Sequence, residues 1–167
     1  MPARSSGFSL VELMAVIAIL AVILIFGVPN FQNVMRYNRV TTATNALVTA
    51  VALARSESVG KLHGSRLCPS ANGLACGASW NDGWMVWVDR NNNGIPDDDE
   101  VLQYFRQGSG VSVDVTGNDA NMLRFDARGR PTNGVIGFTI RPTSGDAATL
   151  QRVMQLNASG QMIKVGG

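Results

Sequence analysis

GFSLVELMAVIAILAVILIFGVPNF, residues 7–31, decides how the rest of the chain is read. From Leu13 to Val28 every residue is apolar or glycine, and extended back to Phe8 the run reaches 21 residues. A helix of about 20 apolar residues crosses the hydrocarbon core of a bilayer. One residue breaks the pattern. Glu12 places a carboxylate near the start of the run, where an ionisable group is costly to bury and marks function by default. Ahead of it lies MPARSSG, residues 1–7, with a single positive charge at Arg4. A short positive leader before an apolar run is the pattern of a secretory signal. Two features depart from it: no small-x-small cleavage site follows the run, and the small residue, Gly7, precedes it. The charge at Arg4 orients the chain, with the leader in the cytoplasm and the C-terminal bulk outside.

Gly7-Phe8-Ser9-Leu10-Val11-Glu12 resembles the class III signal of type IV pilins and of the pseudopilins of type II secretion. The resemblance implies that a prepilin peptidase/methyltransferase removes residues 1–7 by cutting between Gly7 and Phe8. It then methylates the new amine on Phe8, and the apolar helix is retained. A physical role for Glu12 follows. When apolar helices leave the bilayer and pack into a filament core, the amine on Phe8 becomes a buried positive charge. Glu12 of a neighbouring helix supplies a partner and sets the axial register; breaking a buried pair of this kind costs about 3–5 kcal/mol. The alternative is an ordinary membrane anchor whose glutamate snorkels to the interface.

Pro29 removes a helical hydrogen bond and clashes with the preceding turn, so a kink or local melting is expected there. Beyond it Phe31, Val34, Val40, Ala43, Leu47, Val51, Ala54 and Ser58 recur at near-helical spacing, with Asn38, Arg39, Asn45, Arg55 and Glu57 largely between them. The chain thus divides into a membrane or filament-core half, 8–28, and an amphipathic half, 29–62, with Gly60 as a stop signal. A continuous helix from Phe8 spans ~80 Å at 1.5 Å per residue, a spine rather than a domain helix.

From 63 to 167 the pattern changes to short strands separated by Gly, Asn, Asp and Pro. Strands are expected at Gly83–Val88, Val101–Arg106, Val111–Val115, Met122–Asp126, Gly134–Ile140, Val153–Leu156 and Gln161–Val165. They suffice for two small antiparallel sheets with one face on the amphipathic helix, an α+β architecture.

Cys68 and Cys76 enclose PSANGLA. In an exported chain the compartment is oxidising, which predicts a disulfide that pins a short loop. A thiol metal site lacks its other ligands, and His63 is read as a surface residue. In DRNNNGIPDDDE, residues 89–100, Asp89, Asn91, Asn93, Gly94, Asp97 and Glu100 fall on the calcium-loop pattern. Alternate oxygens at that spacing converge on one hard cation. Strand-like flanks and Pro96 argue for the alternative, a polar hairpin turn. Trp80, Trp84 and Trp87 could stack on bases or pack in a core; alternation puts Trp84, Val86 and Val88 on one face and Met85 and Trp87 on the other, and core packing is expected. Arg124, Arg128 and Arg130 form a basic cluster near a turn, a solvated surface or a phosphate contact.

The resemblance extends past the leader. NRVTTATNALVTAVALARSESV, LCPSANGLAC, SWNDGWMVWVDRNNNG and RVMQLNASGQMIKV look like the minor-pilin subgroup that is GspH/FimT/FimU-like. It implies a pilin-like fold and a low-abundance structural subunit that helps prime a type IV pilus at its tip. Its implied partners are other minor and major pilins and the inner membrane before assembly. It implies a single-pass inner-membrane protein with a periplasmic domain, later carried to the pilus at the cell surface. A pseudopilin of type II secretion shares the same physics. One branch of the subgroup takes up DNA through a glycine-arginine-x-arginine motif, but here the corresponding residues are Gly160, Gln161, Met162 and Ile163. Net charge is +2, and loss of Arg4 leaves 13 basic against 12 acidic side chains. DNA is therefore not an expected partner. No nucleophile elbow, HExxH zinc motif or phosphate loop occurs, and no enzyme is expected.

Overall fold

Ser9 starts the first helix. Its hydroxyl accepts from the Glu12 N–H at 3.3 Å, and its carbonyl accepts the Leu13 N–H at 3.2 Å. This serine-x-x-glutamate spacing satisfies a donor that the first turn leaves open. The helix, α1, runs over Leu10–Gly60, and the computed structural model describes residues 9–60 and 64–166. The leader, residues 1–7, and Phe8 lie outside the described residues, as does His63. Helical assignment passes through Pro29 without interruption, so the backbone does not melt there.

The chain divides into two compact units, Met1–Met35 and Arg36–Gly167. In the first, an 18-residue window of α1 has mean hydropathy 2.9 and none of it is buried, which makes it long and apolar enough to cross a membrane. Phe31 and Val34, expected on the amphipathic stripe, fall in this unit and stand exposed. The stripe that is covered starts at Val40 and continues through Ala43, Leu47, Val51, Ala54 and Ser58, as the periodicity predicts; Ala50 joins it.

Among the described residues of the second unit, eight strands form two antiparallel sheets. The first sheet has the order β3 (Val101–Arg106), β2 (Gly83–Val88), β1 (Ser65–Pro69), β5 (Leu123–Phe125). The second has β4 (Val111–Thr116), β6 (Ile136–Pro142), β7 (Arg152–Leu156), β8 (Met162–Gly166). One cluster joins Leu47, Val51 and Ala54 of α1 to Leu67, Trp84 and Phe125 of the first sheet and to Ile136, Phe138 and Leu156 of the second. Burying each such large side chain contributes about 1.5–3 kcal/mol. Ser65 fastens the start of β1 to the helix, its hydroxyl donating to the Ala54 carbonyl at 2.5 Å.

The β2 and β3 boundaries are those predicted, and the other predicted strands are found within one or two residues. Two elements were not expected: β1, and the short helix α2 (Ala147–Leu150) capped by Asp146. Ser-Arg-Leu-Cys-Pro carries no period-2 pattern, because β1 is buried at four of its five residues. It lies between β2 and β5, and its proline sits at the strand end, where the missing N–H is tolerated.

Candidate functional site

Glu12 sits at the third position of α1 and is exposed. Among the described residues it has no ion-pair partner. Its surroundings are Leu10, Val11, Leu13 and Met14, exposed by 75, 74, 54 and 63%. An apolar surface of this extent around a lone carboxylate is stable in lipid or against other apolar helices, not in water. A serine at the cap and a glutamate three residues on is a signal present in the sequence, and it gives Ser9 and the Glu12 backbone a role that the pairing argument alone did not supply.

Cys68 and Cys76 are joined by a disulfide. Cys68 faces Met85 across the β1–β2 ladder and shares a small second core with Met85 and Trp87, flanked by Cys76 and Tyr104. The loop between the cysteines lies over this face of β2. The Tyr104 hydroxyl donates to the Ala71 carbonyl at 2.8 Å, and the Ser70 hydroxyl donates to that of Ala75 at 2.7 Å. Gly73 has φ +76°, and a Cβ there would lie 2.8 Å from the Tyr104 ring. Covering by this loop explains why all six residues of β2 are buried although the strand alternates. Trp84 and Val86 face the main core, and Trp87 faces the second. Trp80 and Trp84 pack on one another, Trp80 on Phe138 and Trp84 on Phe105, at 4 and 1% exposure, and Trp87 is buried in the second core; none of the three offers a ring for base stacking.

Residues 89–100 form the β2–β3 connection, so the flanks are strands, as predicted. Asp89 and Glu100 are buried in it. Glu100 Oε1 accepts the N–H groups of Arg90 at 2.6 Å and Asn91 at 3.2 Å, and its Oε2 that of Asp97 at 3.4 Å. Asp89 Oδ2 accepts the Gly94 N–H at 3.0 Å and pairs with the Arg66 guanidinium at 2.6 Å; that guanidinium stacks over Trp87. The amides of Asn91 and Asn93 donate to Asp97 Oδ2 at 2.7 and 2.9 Å. The five predicted ligand residues are therefore gathered in one loop. Among the described residues, no three His, Cys, Asp or Glu side chains are grouped closely enough to hold a metal by themselves. Arg66 is the participant that sequence reasoning missed; it comes from β1, the strand that also escaped notice.

Arg124, opposite Arg66 in the β1–β5 ladder, pairs with Asp119. Asp126 accepts the N–H groups of Arg128 and Arg130 at 2.9 Å. The Arg130 N–H, followed by that of Arg128 and the two guanidinium charges, holds the Asp126 carboxyl below its ordinary value of 3.8. The arginines at this turn thus organise a local loop.

Two family models match the sequence. Residues 2–28 match the prokaryotic N-terminal methylation motif, and residues 43–160 match the type II transport protein GspH. The chain belongs to the GspH family. No curated protein matches this GspH-family chain by sequence. Its fold is similar to that of the type IV minor pilin FimU of Pseudomonas aeruginosa, at 16% identity and a TM-score of 0.58, over 77% of this chain and 90% of that one. It is also similar to the minor pseudopilin EpsH of the type II secretion system of Vibrio cholerae, at 8% identity and a TM-score of 0.55, over 77% of this chain and 97% of that one. The GspH-family chain therefore has the pilin-like fold, an apolar N-terminal helix suited to anchoring and a β-rich C-terminal unit.

Proposed function

We propose that this GspH-family chain is a minor pilin that helps prime assembly at the tip of a type IV pilus. The peptidase/methyltransferase cuts after Gly7 and methylates Phe8. The subunit waits as a single-pass protein of the inner membrane with residues 36–167 in the periplasm, then joins other minor and major pilins in the filament. The observation that carries this reading is the Glu12 carboxylate, alone among exposed apolar side chains on a helix that is apolar all round. Such a surface needs a cover, and the methylation motif beside it points to a cover of like helices. Pairing between Glu12 and the Phe8 amine of a neighbour then sets register as subunits leave the bilayer. A bend at Pro29 would let the two halves of α1 adjust during that transfer.

The test is the Glu12→Ala variant in the native host, followed in membranes and in the sheared-filament fraction. Membrane insertion stays intact, and the filament fraction loses roughly tenfold or more of the subunit, given the cost of one unpaired buried charge. Equal incorporation of variant and parent would refute the pairing role.

A second reading, a minor pseudopilin of type II secretion, is favoured by the GspH model and by the likeness to EpsH. Deletion separates the two: loss of surface pili supports the first, and loss of exoprotein secretion with normal pili supports the second. DNA uptake has less support, since neither Gln161 nor Ile163 supplies a cation.

A further inference from the structure

The β2–β3 loop carries a feature that assembly does not use. Asp89 is buried, its side chain 4% exposed, and its Oδ1 has no hydrogen-bond partner. A buried carboxylate oxygen without a partner is expensive. Its sister Oδ2 is fully engaged, holding the Gly94 N–H and the Arg66 guanidinium. This division of labour matches the first residue of a calcium loop, where one oxygen steadies the backbone turn and the other is left for the cation.

The remaining residues occupy the other positions of the calcium-loop pattern. The loop has twelve residues, Asp89 to Glu100. Calcium loops of that length take ligands from positions 1, 3, 5, 7, 9 and 12 with glycine at 6. Those positions are Asp89, Asn91, Asn93, the Ile95 carbonyl, Asp97 and Glu100, with Gly94 at the sixth. Gly94 has φ +79°, the turn this position requires. The Asn91 and Asn93 Oδ1 atoms each accept one backbone N–H, from Asn93 at 3.0 Å and Ile95 at 2.8 Å, and keep a lone pair. Both side-chain amides donate to Asp97 Oδ2, which links positions 3, 5 and 9 of the loop through hydrogen bonds that an arriving cation would replace. Calcium tolerates this mixture of carboxylate, amide and carbonyl oxygens and an irregular shell; magnesium demands near-octahedral order.

We propose that residues 89–100 form a calcium site mounted on a β-hairpin, with Asp89 Oδ1 as its anchor. Arg66 neutralises one carboxylate and so weakens the field on the ion. Three carboxylates with one guanidinium beside them suit the weak range of extracellular modules, about 10⁻⁴–10⁻³ M. Calcium would then tie the end of β2 to the start of β3.

Full-length protein in detergent micelles is titrated with calcium chloride by calorimetry and melted with calcium or with chelator. The expected result is a binding isotherm in that range and a Tm raised by a few degrees at about 5 mM calcium, with a smaller shift from the same magnesium concentration. Asp97→Asn should weaken binding roughly tenfold while its Tm in chelator stays at the parent value. Asp99→Asn, which falls on no ligand position, should bind as the parent does. No heat and no Tm shift for the parent chain would overturn the proposal, and so would unchanged affinity in Asp97→Asn.

Discussion

The two halves of α1 are built from the same kinds of residue and meet opposite surroundings. Leu20 in the first half is 51% exposed; Leu47 in the second is 0% exposed. The first half is apolar on every side, whereas the second is apolar along one stripe. A helix that is apolar all round belongs in lipid or among other helices, and a striped one belongs on a domain. The first half stands exposed, and the second is covered by the chain's own sheets. Glu12 and the Val40–Ser58 stripe are the marks of these two arrangements.

Substitution sharpens the contrast most strongly at matched leucines. Leu47→Ala should destabilise the 36–167 unit by about 2–5 kcal/mol in chemical denaturation of the detergent-solubilised chain. Leu20→Ala should leave that transition within about 0.5 kcal/mol of the parent and instead reduce recovery in filaments. If Leu20→Ala moved the transition as Leu47→Ala does, the distinction between the two halves would fail.

A smaller effect is expected from the covered strand β2. Replacing both Cys68 and Cys76 by serine removes a closed loop of nine residues, a loss of about 2–3 kcal/mol on the chain-entropy account, read from the denaturation midpoint. Membrane insertion should not change, because the apolar half of α1 contains neither cysteine. Gly83→Ala tests the other end of β2. Gly83 has φ +133°, and a Cβ there would lie 2.5 Å from the Phe105 carbonyl oxygen. A loss of about 1–3 kcal/mol is expected in the same experiment.

The smallest effect is electrostatic. Asp126 has a folded-state pKa lowered below 3.8, so its contribution is present above pH 3.8 and is lost as the pH falls through the folded value. Carboxyl resonances followed by NMR should show Asp126 titrating below the ordinary aspartates. In an Asp126→Asn variant the stability difference from the parent should narrow as the solution is acidified through that range. Titration at or above 3.8 would show that the Arg128 and Arg130 N–H groups do not hold it.

Much of this was legible in the residues, and the gaps have physical causes. The strands flanking 89–100 are bounded by Gly83 on one side and by the Asx-rich loop on the other, so their ends could be read directly. The helical stripe was readable from Val40 onward, but Phe31 and Val34 continue the same period without a domain to cover them. Periodicity records which face is apolar and says nothing about what lies against it. β1 was missed because burial on both faces erases alternation, and with it went Arg66, which a β-register places beside Trp87 and Asp89. The loop residues were found by spacing, while the orphaned Asp89 oxygen was visible only in three dimensions.

The account rests on the first half of α1 staying on the mature chain behind a trimmed, charged end. Mass spectrometry of the intact protein purified from its own membranes or filaments tests this most directly. The predicted mass is that of residues 8–167 plus one methyl group on the Phe8 amine, with the Cys68–Cys76 disulfide intact. A chain that still begins at Met1, or one that has lost the apolar run, would contradict it.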